Sequence, residues 1–227
     1  PIGDFLEVLR MSNTKEKILL TALHLFAQDG YEAVSMSKIA GKLSITKGAL
    51  YKHYKNKRDI FDTIFERLCQ LDIERSRKAG VPEKEFDGAT KLFRNVSTKS
   101  VKVYMQSQFQ YWTNDEFACN FRKILTLEQY RNLEATNLYQ KVLGRGPVDF
   151  IEDLFREMME EGTWRKGDPK QMAVEFYAPF YLLLSISDAT SDNEEKEKIA
   201  DIFTAHIDCF IEKYATSKLQ NNEDIQI

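Results

Sequence analysis

The chain has 227 residues, 43% hydrophobic and 30% charged, with 10 Gly, 5 Pro and a formal net charge of −3. That length suits one or two domains with a sizeable core, and the apolar content excludes a disordered chain. Gly and Pro are too scarce for a turn-rich all-β protein. Cys69, Cys119 and Cys209 form no CxxC pair, which argues against a disulfide framework or zinc ribbon and for a reducing cytoplasm. The longest apolar run, 176–184, is about half a bilayer span, and no segment reads as a signal peptide.

The charge is unevenly spread. Residues 12–58 hold nine Lys/Arg against three acids, a net +6, and the other 23 bases and 32 acids leave −9 elsewhere. Within 37–58 there are seven bases and no acid. Such a basic head is either a polyanion-binding face or a solvated surface, and charge alone leaves the two even.

Residues 1–10, PIGDFLEVLR, precede Met11 and are set aside as a vector-derived remnant or leader. Asn13 with Glu16 fits a capping box, and Ile18, Ala22, Leu25 and Phe26 then lie on one helix face. Asp29-Gly30 stops that helix. Ser35 caps a second helix over 36–43 that buries Ile39, Ala40 and Leu43, and Thr46 caps a third over 47–54. Asn56 with Asp59 opens a long helix through Ile60, Ile64, Leu68 and Leu71. Further helices fall near 85–95, 97–113, 115–128, 133–143, 147–162, 169–187 and 194–215. Asp168-Pro169 with Gln171 is a strong start signal, and Pro179 should kink the helix it opens. The tail after Tyr214 is polar.

The third helix carries the chemistry. With Leu50 at zero on a wheel of about 100° per residue, Tyr54 falls near 40°, so these two anchor it. Gly48, Lys52 and Ala49 fall at roughly 160°, 200° and 260°, on the opposite face. Two minimal side chains and a lysine allow close approach to a major groove, where Ala49 suits a thymine methyl and Lys52 a base edge or phosphate. Tyr51 and His53 on the flanks, with Lys57 beyond, point where phosphates would lie. The pair 36–43 and 47–54, joined by three residues, has helix-turn-helix proportions.

The stretch from Ile18 to Leu68, with TKGALYKHYKNKRDI at its centre, strongly resembles the DNA-binding head of the TetR/AcrR family of bacterial repressors. The resemblance implies an all-α homodimer whose N-terminal three-helix domains read a palindromic double-stranded operator. It also implies a helical C-terminal domain that binds a small-molecule effector and dimerises. Carried over by position, Ser35 and Ser37 begin the supporting helix near phosphate. Thr46, Lys47, Gly48, Ala49 and Lys52 take groove-facing places, and Tyr51, His53 and Lys57 contact the DNA backbone. Two positions depart from the family: Ser44 stands where the turn usually has Gly, and Ala49 where Thr or Ser is frequent.

The expected domains are 11–58 for the head, 59–78 for a connecting helix, 79–217 for effector binding and dimerisation, and 218–227 for a polar tail. Candidate effector residues are Tyr104, Gln108, Trp112, Phe121, Phe155 and Tyr177, drawn from an aromatic-rich body. Gln108 interrupts an apolar face and needs a partner, either a ligand or a neighbouring helix. Leu182, Leu183 and Ile186, with Ile199, Ile202, Phe203, His206 and Phe210, form apolar stripes suited to an intersubunit four-helix bundle.

Enzyme signatures are missing. Gly162 to Gly167 has P-loop-like spacing, but Asp168-Pro169 follows in place of Lys-Ser/Thr and no strand precedes it. His24, His53 and His206 lack the spacing of a di-iron site, and His206 with Cys209 is too few ligands for zinc. The expectation is therefore a cytoplasmic, ligand-responsive DNA-binding repressor with no cofactor, metal or membrane partner. The competing readings are a helical ligand-binding or interaction protein, and a helical enzyme, neither with a DNA role.

Overall fold

The computed structural model describes residues 2–81 and 96–216, with side chains from Asn13 onward. Among them are ten helices: α1 (Ile2–Asp29), α2 (Met36–Lys42), α3 (Lys47–Tyr51), α4 (Lys57–Ala79), α5 (Thr98–Asn114), α6 (Glu116–Glu128), α7 (Leu133–Val142), α8 (Arg145–Glu160), α9 (Pro169–Ser187) and α10 (Asn193–Tyr214). The described residues contain no strand, only an isolated bridge between Trp164 and Ala215. The fold is all-α. The expected helix at 85–95 and the tail at 218–227 lie outside the described residues.

The chain divides into two compact units, Pro1–Leu71 with Glu116–Leu138, and Asp72–Asp115 with Tyr139–Ile227. The expected boundaries put 116–138 in the body, whereas by compactness it groups with the head. Its packing explains this. Phe121 of α6 is fully buried with its ring centroid 6.2 Å from both Phe61 and Phe65 of α4, and Phe117 lies under the Arg67 guanidinium at 4.9 Å.

In the first unit, α1 begins well before the expected cap at Asn13. The preceding Leu, Glu, Arg and Met residues favour helix, and no breaker separates them from Asn13, so the helix runs through it. Ile18, Ala22, Leu25 and Phe26 are buried as their spacing predicts, and Gly30 ends the helix at φ 82°.

The turn from α2 to α3 is fully specified by hydrogen bonds. Ile45 N–H donates to Ala40 C=O at 3.0 Å and Ser44 N–H donates to Gly41 C=O at 3.1 Å. These are the two bonds of a Schellman motif, which places its C′ residue in the left-handed region. That residue is Ser44, with φ 54°, the one positive-φ non-glycine among the described residues. A serine held in the left-handed region carries modest strain that glycine would not.

Caps set the starts. Ser35 Oγ accepts from Lys38 N–H at 3.2 Å, Thr46 Oγ1 from Ala49 N–H at 3.1 Å, and Asn56 Oδ1 from Asp59 N–H at 2.9 Å. Both α2 and α3 are shorter than expected. Helix α3 ends at Tyr51 rather than residue 54, although Tyr54 N–H still reaches Leu50 C=O at 3.2 Å. Leu50 and Tyr54 are both buried, so the anchoring side of the last turn survives its tightening.

In the second unit, α5, α8 and α10 pack against α9 around aromatic rings. Phe155 stacks on Trp164 at 4.7 Å and on Phe210 at 5.5 Å, and meets Phe176 edge-on. Asp168 caps α9 by accepting from Lys170 N–H at 2.9 Å and Gln171 N–H at 3.1 Å. Replacing Ser44 by glycine should relieve its left-handed strain and raise unfolding stability by up to about 1 kcal/mol. Urea denaturation measures this, and an unchanged or lower midpoint would contradict the strain.

Candidate nucleic-acid interface

The head presents a face built from α3 and the start of α2. Ser35, Ser37, Thr46, Lys47, Gly48 and Lys52 are exposed, Tyr51 is 50% exposed, and Ala49 and His53 are half-buried. Behind this face Leu50 is fully buried, and Tyr54 donates its hydroxyl to Lys15 C=O at 3.4 Å. Burial, then the neighbouring Glu16 carboxylate, pushes the Tyr54 phenol up to about 12, so it anchors as a neutral ring. Ser35 and Thr46 each use a lone pair for capping and keep the hydroxyl proton free for an acceptor such as a phosphate.

Glycine 48 is informative because nothing among the described residues requires it. Its backbone is not left-handed, and an added Cβ would meet only Thr46 Oγ1, at 3.9 Å. Gly41 on α2, not singled out by the sequence, is similarly open, with nothing within 4 Å of an added Cβ. Glycine costs roughly 0.5–1 kcal/mol against alanine in a helix. Two uncompensated glycines on neighbouring helices therefore mark a surface shaped for close approach from outside.

The basic patch resolves into two groups. Lys38 pairs with Asp29 at 3.0 Å, and Arg58 with both Asp62 and Glu134 at 2.6 Å. Lys57, expected at the DNA backbone, instead turns inward. Its Nζ donates to Tyr31 C=O at 2.8 Å, sits 4.1 Å from the Tyr31 ring centroid and lies 3.7 Å from Glu32. The cause is local: Glu32 and the carbonyls after α1 lie within its reach, and charge counts along a sequence do not show such partners. Lys42, Lys47, Lys52 and Lys55 make no ion pair among the described residues. Lys42 and Lys55 were missed as individual site residues, although the acid-free run containing them was the available signal.

The expected effector residues fall in both units. Phe121 lies in the first, and Phe155 lies in the aromatic core of the second, stacked on Trp164. Tyr177 is buried and donates to Leu143 C=O at 2.9 Å. On α5, Gln108 donates to the Asp72 carboxylate of α4, so its partner is a neighbouring helix. Burial drives the Tyr104 phenol strongly upward, beside Ser76 and Gln108, and Trp112 is buried on the same helix.

The apolar stripes also divide. Leu183, Ile199, Phe203 and Phe210 are buried in their own unit, and His206 is half-buried with a ring nitrogen 3.1 Å from Phe176 C=O. Leu182 (59% exposed), Ile186 and Ile202 (58%) remain outside, joined by Val174 and Tyr181. Adjacent helix residues about 100° apart point to different sides, which separates Leu182 from Leu183.

A capped two-helix unit with open glycines, and with lysines that make no ion pair among the described residues, has the build of a helix-turn-helix. Residues 18–64 match the family model described as bacterial regulatory proteins, tetR family. Residues 18–64 are thus similar to the DNA-binding region of that family. The chain is 38% identical over 69 residues to the HTH-type transcriptional regulator AcrR of Shigella flexneri, covering 29% of this chain and 32% of the relative. It is 26% identical over 156 residues to the HTH-type transcriptional regulator QacR of Staphylococcus aureus, covering 69% of this chain and 76% of the relative. Its fold is similar to the SmeT–triclosan complex, with TM-score 0.66 and 20% identity, covering 90% of this chain and 93% of that one. SmeT is described as the repressor of a Stenotrophomonas maltophilia multidrug efflux pump. The chain spans about a third of the length of AcrR and of two other curated relatives. No helix among the described residues is long and apolar enough to cross a membrane.

Proposed function

We propose that this chain is a ligand-responsive transcriptional repressor that binds a palindromic operator as a homodimer. The observation that carries the reading is the α3 face, where Gly48 and the half-buried Ala49 lie among exposed lysines that no acid among the described residues neutralises. Lys47, Gly48, Ala49 and Lys52 meet base edges in the major groove. Ser35, Ser37, Thr46 and Tyr51 meet phosphates, with His53 at the flank, and Lys42 and Lys55 add to the positive field.

Dimerisation is supported by the exposed apolar residues of α9 and α10, since Val174, Tyr181, Leu182, Ile186 and Ile202 would otherwise face water. Two copies of these helices form a four-helix interface. A short reading helix gains specificity from two half-sites. The second unit is the effector domain, with Tyr104, Gln108 and Trp112 of α5 and Tyr177 of α9 as its candidate contacts. SmeT, bound to triclosan, supports an apolar or aromatic compound as the effector class. The protein acts by binding rather than catalysis, in the cytoplasm.

The test is fluorescence anisotropy with a duplex selected by the protein from random sequence. If each head sets Lys42 and Lys55 on phosphates while Lys47 and Lys52 meet bases, log K of the dimer should fall against log salt with a slope of about −4. The double substitution Leu182→Glu with Ile186→Glu should break the dimer and roughly halve that slope. A salt-insensitive complex would contradict the reading. Gly48→Ala should leave stability unchanged or raise it by up to about 1 kcal/mol, because the site has room. The same methyl should cost DNA binding ~1–3 kcal/mol by overpacking the interface. Unchanged affinity would remove Gly48 from the contact surface.

A further inference from the structure

Glu128 occupies an unfavourable position. It is the last residue of α6, where the helix dipole disfavours negative charge, and it is only 8% exposed. Buried carboxylates persist where they are paired and hydrogen-bonded. Here Oε1 accepts from Tyr31 N–H at 3.0 Å and Oε2 pairs with Arg131 Nε at 3.2 Å.

The target of that carboxylate is the turn joining α1 to α2. Gly30 does more there than supply φ 82°, since a Cβ on it would stand 3.1 Å from Glu128 Oε1. The carboxylate therefore reaches the turn across a place that any other residue would crowd. Tyr31 is held from both sides of its backbone, its N–H by Glu128 and its C=O by Lys57 Nζ. Its ring is wedged between Phe26 at 5.1 Å and Phe61 at 5.3 Å. Four residues later Ser35 caps α2, so the orientation of Tyr31 passes directly to the reading unit.

The chain path gives this contact its meaning. Segment 116–138 belongs to the first unit, yet in sequence it is flanked on both sides by segments of the second. It is a part of the first unit that the chain enters from the second and leaves back into the second. We propose that the Glu128 carboxylate is a clasp by which this segment orients α2 and α3 together as one body, leaving their own geometry intact, and so sets the spacing of the two heads. The proposal rests on the reading of the chain as a paired DNA-binding regulator. Glu128 is a positioning residue and touches no DNA.

The experiment uses the full chain as wild type, Glu128→Ala, Glu128→Gln and Arg131→Ala, with circular dichroism melting to confirm folding. Affinities are measured at low salt for two duplexes, the whole palindrome selected by the wild type and a single half-site. Loss of the clasp should lower whole-site affinity about tenfold or more, because the second head no longer arrives in register. Half-site affinity should change by less than about twofold. Glu128→Gln keeps an acceptor for Tyr31 N–H and should lose less than Glu128→Ala. Should Glu128→Ala not fold, Glu128→Gln and Arg131→Ala carry the same comparison. Equal losses on both duplexes, or no loss on either, would overturn the clasp. A wild type that selects no duplex would overturn the DNA-binding reading beneath it, and the clasp with it.

Discussion

Helix α3 has five residues, far fewer than the roughly 12–15 needed for a helix to hold itself in water. Its exposed face exists only while Leu50 and Tyr54 stay buried and the turn before it stays closed. Everything the head does depends on that constraint. The Schellman bonds at Ala40 and Gly41 fix where the chain leaves α2, Thr46 satisfies the first amides of α3, and Leu50 and Tyr54 clamp its back. The front is then free to carry residues that no internal contact requires. Gly48 and four lysines without an ion pair among the described residues are such residues.

The same division of labour extends through the first unit. Its core is not supplied by the N-terminal helices alone, because α6 lends Phe117 and Phe121 and its terminal Glu128. Lys57 joins α4 to the α1–α2 turn, spending on internal contacts a charge that would otherwise face a polyanion. The positive field of the head is thus smaller than its composition suggests. It is also more sharply placed, since the bases that remain free cluster on and beside the reading helices.

Much of this was legible in the sequence. The caps at Ser35, Thr46, Asn56 and Asp168 follow from local chemistry, and each forms the bond its residue type predicts. The buried side of each short helix follows from periodicity, and the TetR resemblance lies in the residues that build the turn and the groove face. What stayed hidden depends on contacts distant in sequence. Nothing local shows that Lys57 would find Tyr31 and Glu32, or that Gln108 would find Asp72. An apolar stripe does not say which of Leu182 and Leu183 faces inward, because both suit a half-buried helix. The reach of α1 beyond Asn13 was missed for a simpler reason: a capping residue caps only when the chain before it leaves the helix.

The central claim is that two copies of the α3 face enter successive major grooves of one duplex. Hydroxyl-radical and methylation-protection footprinting of the full chain on DNA flanking its own coding region tests this most directly. The account predicts two symmetric patches of protected major-groove guanines, about one helical turn or a multiple apart, both needing a higher protein concentration in Gly48→Ala. A single patch, protection confined to the minor groove, or uniform protection with no preferred position would contradict it.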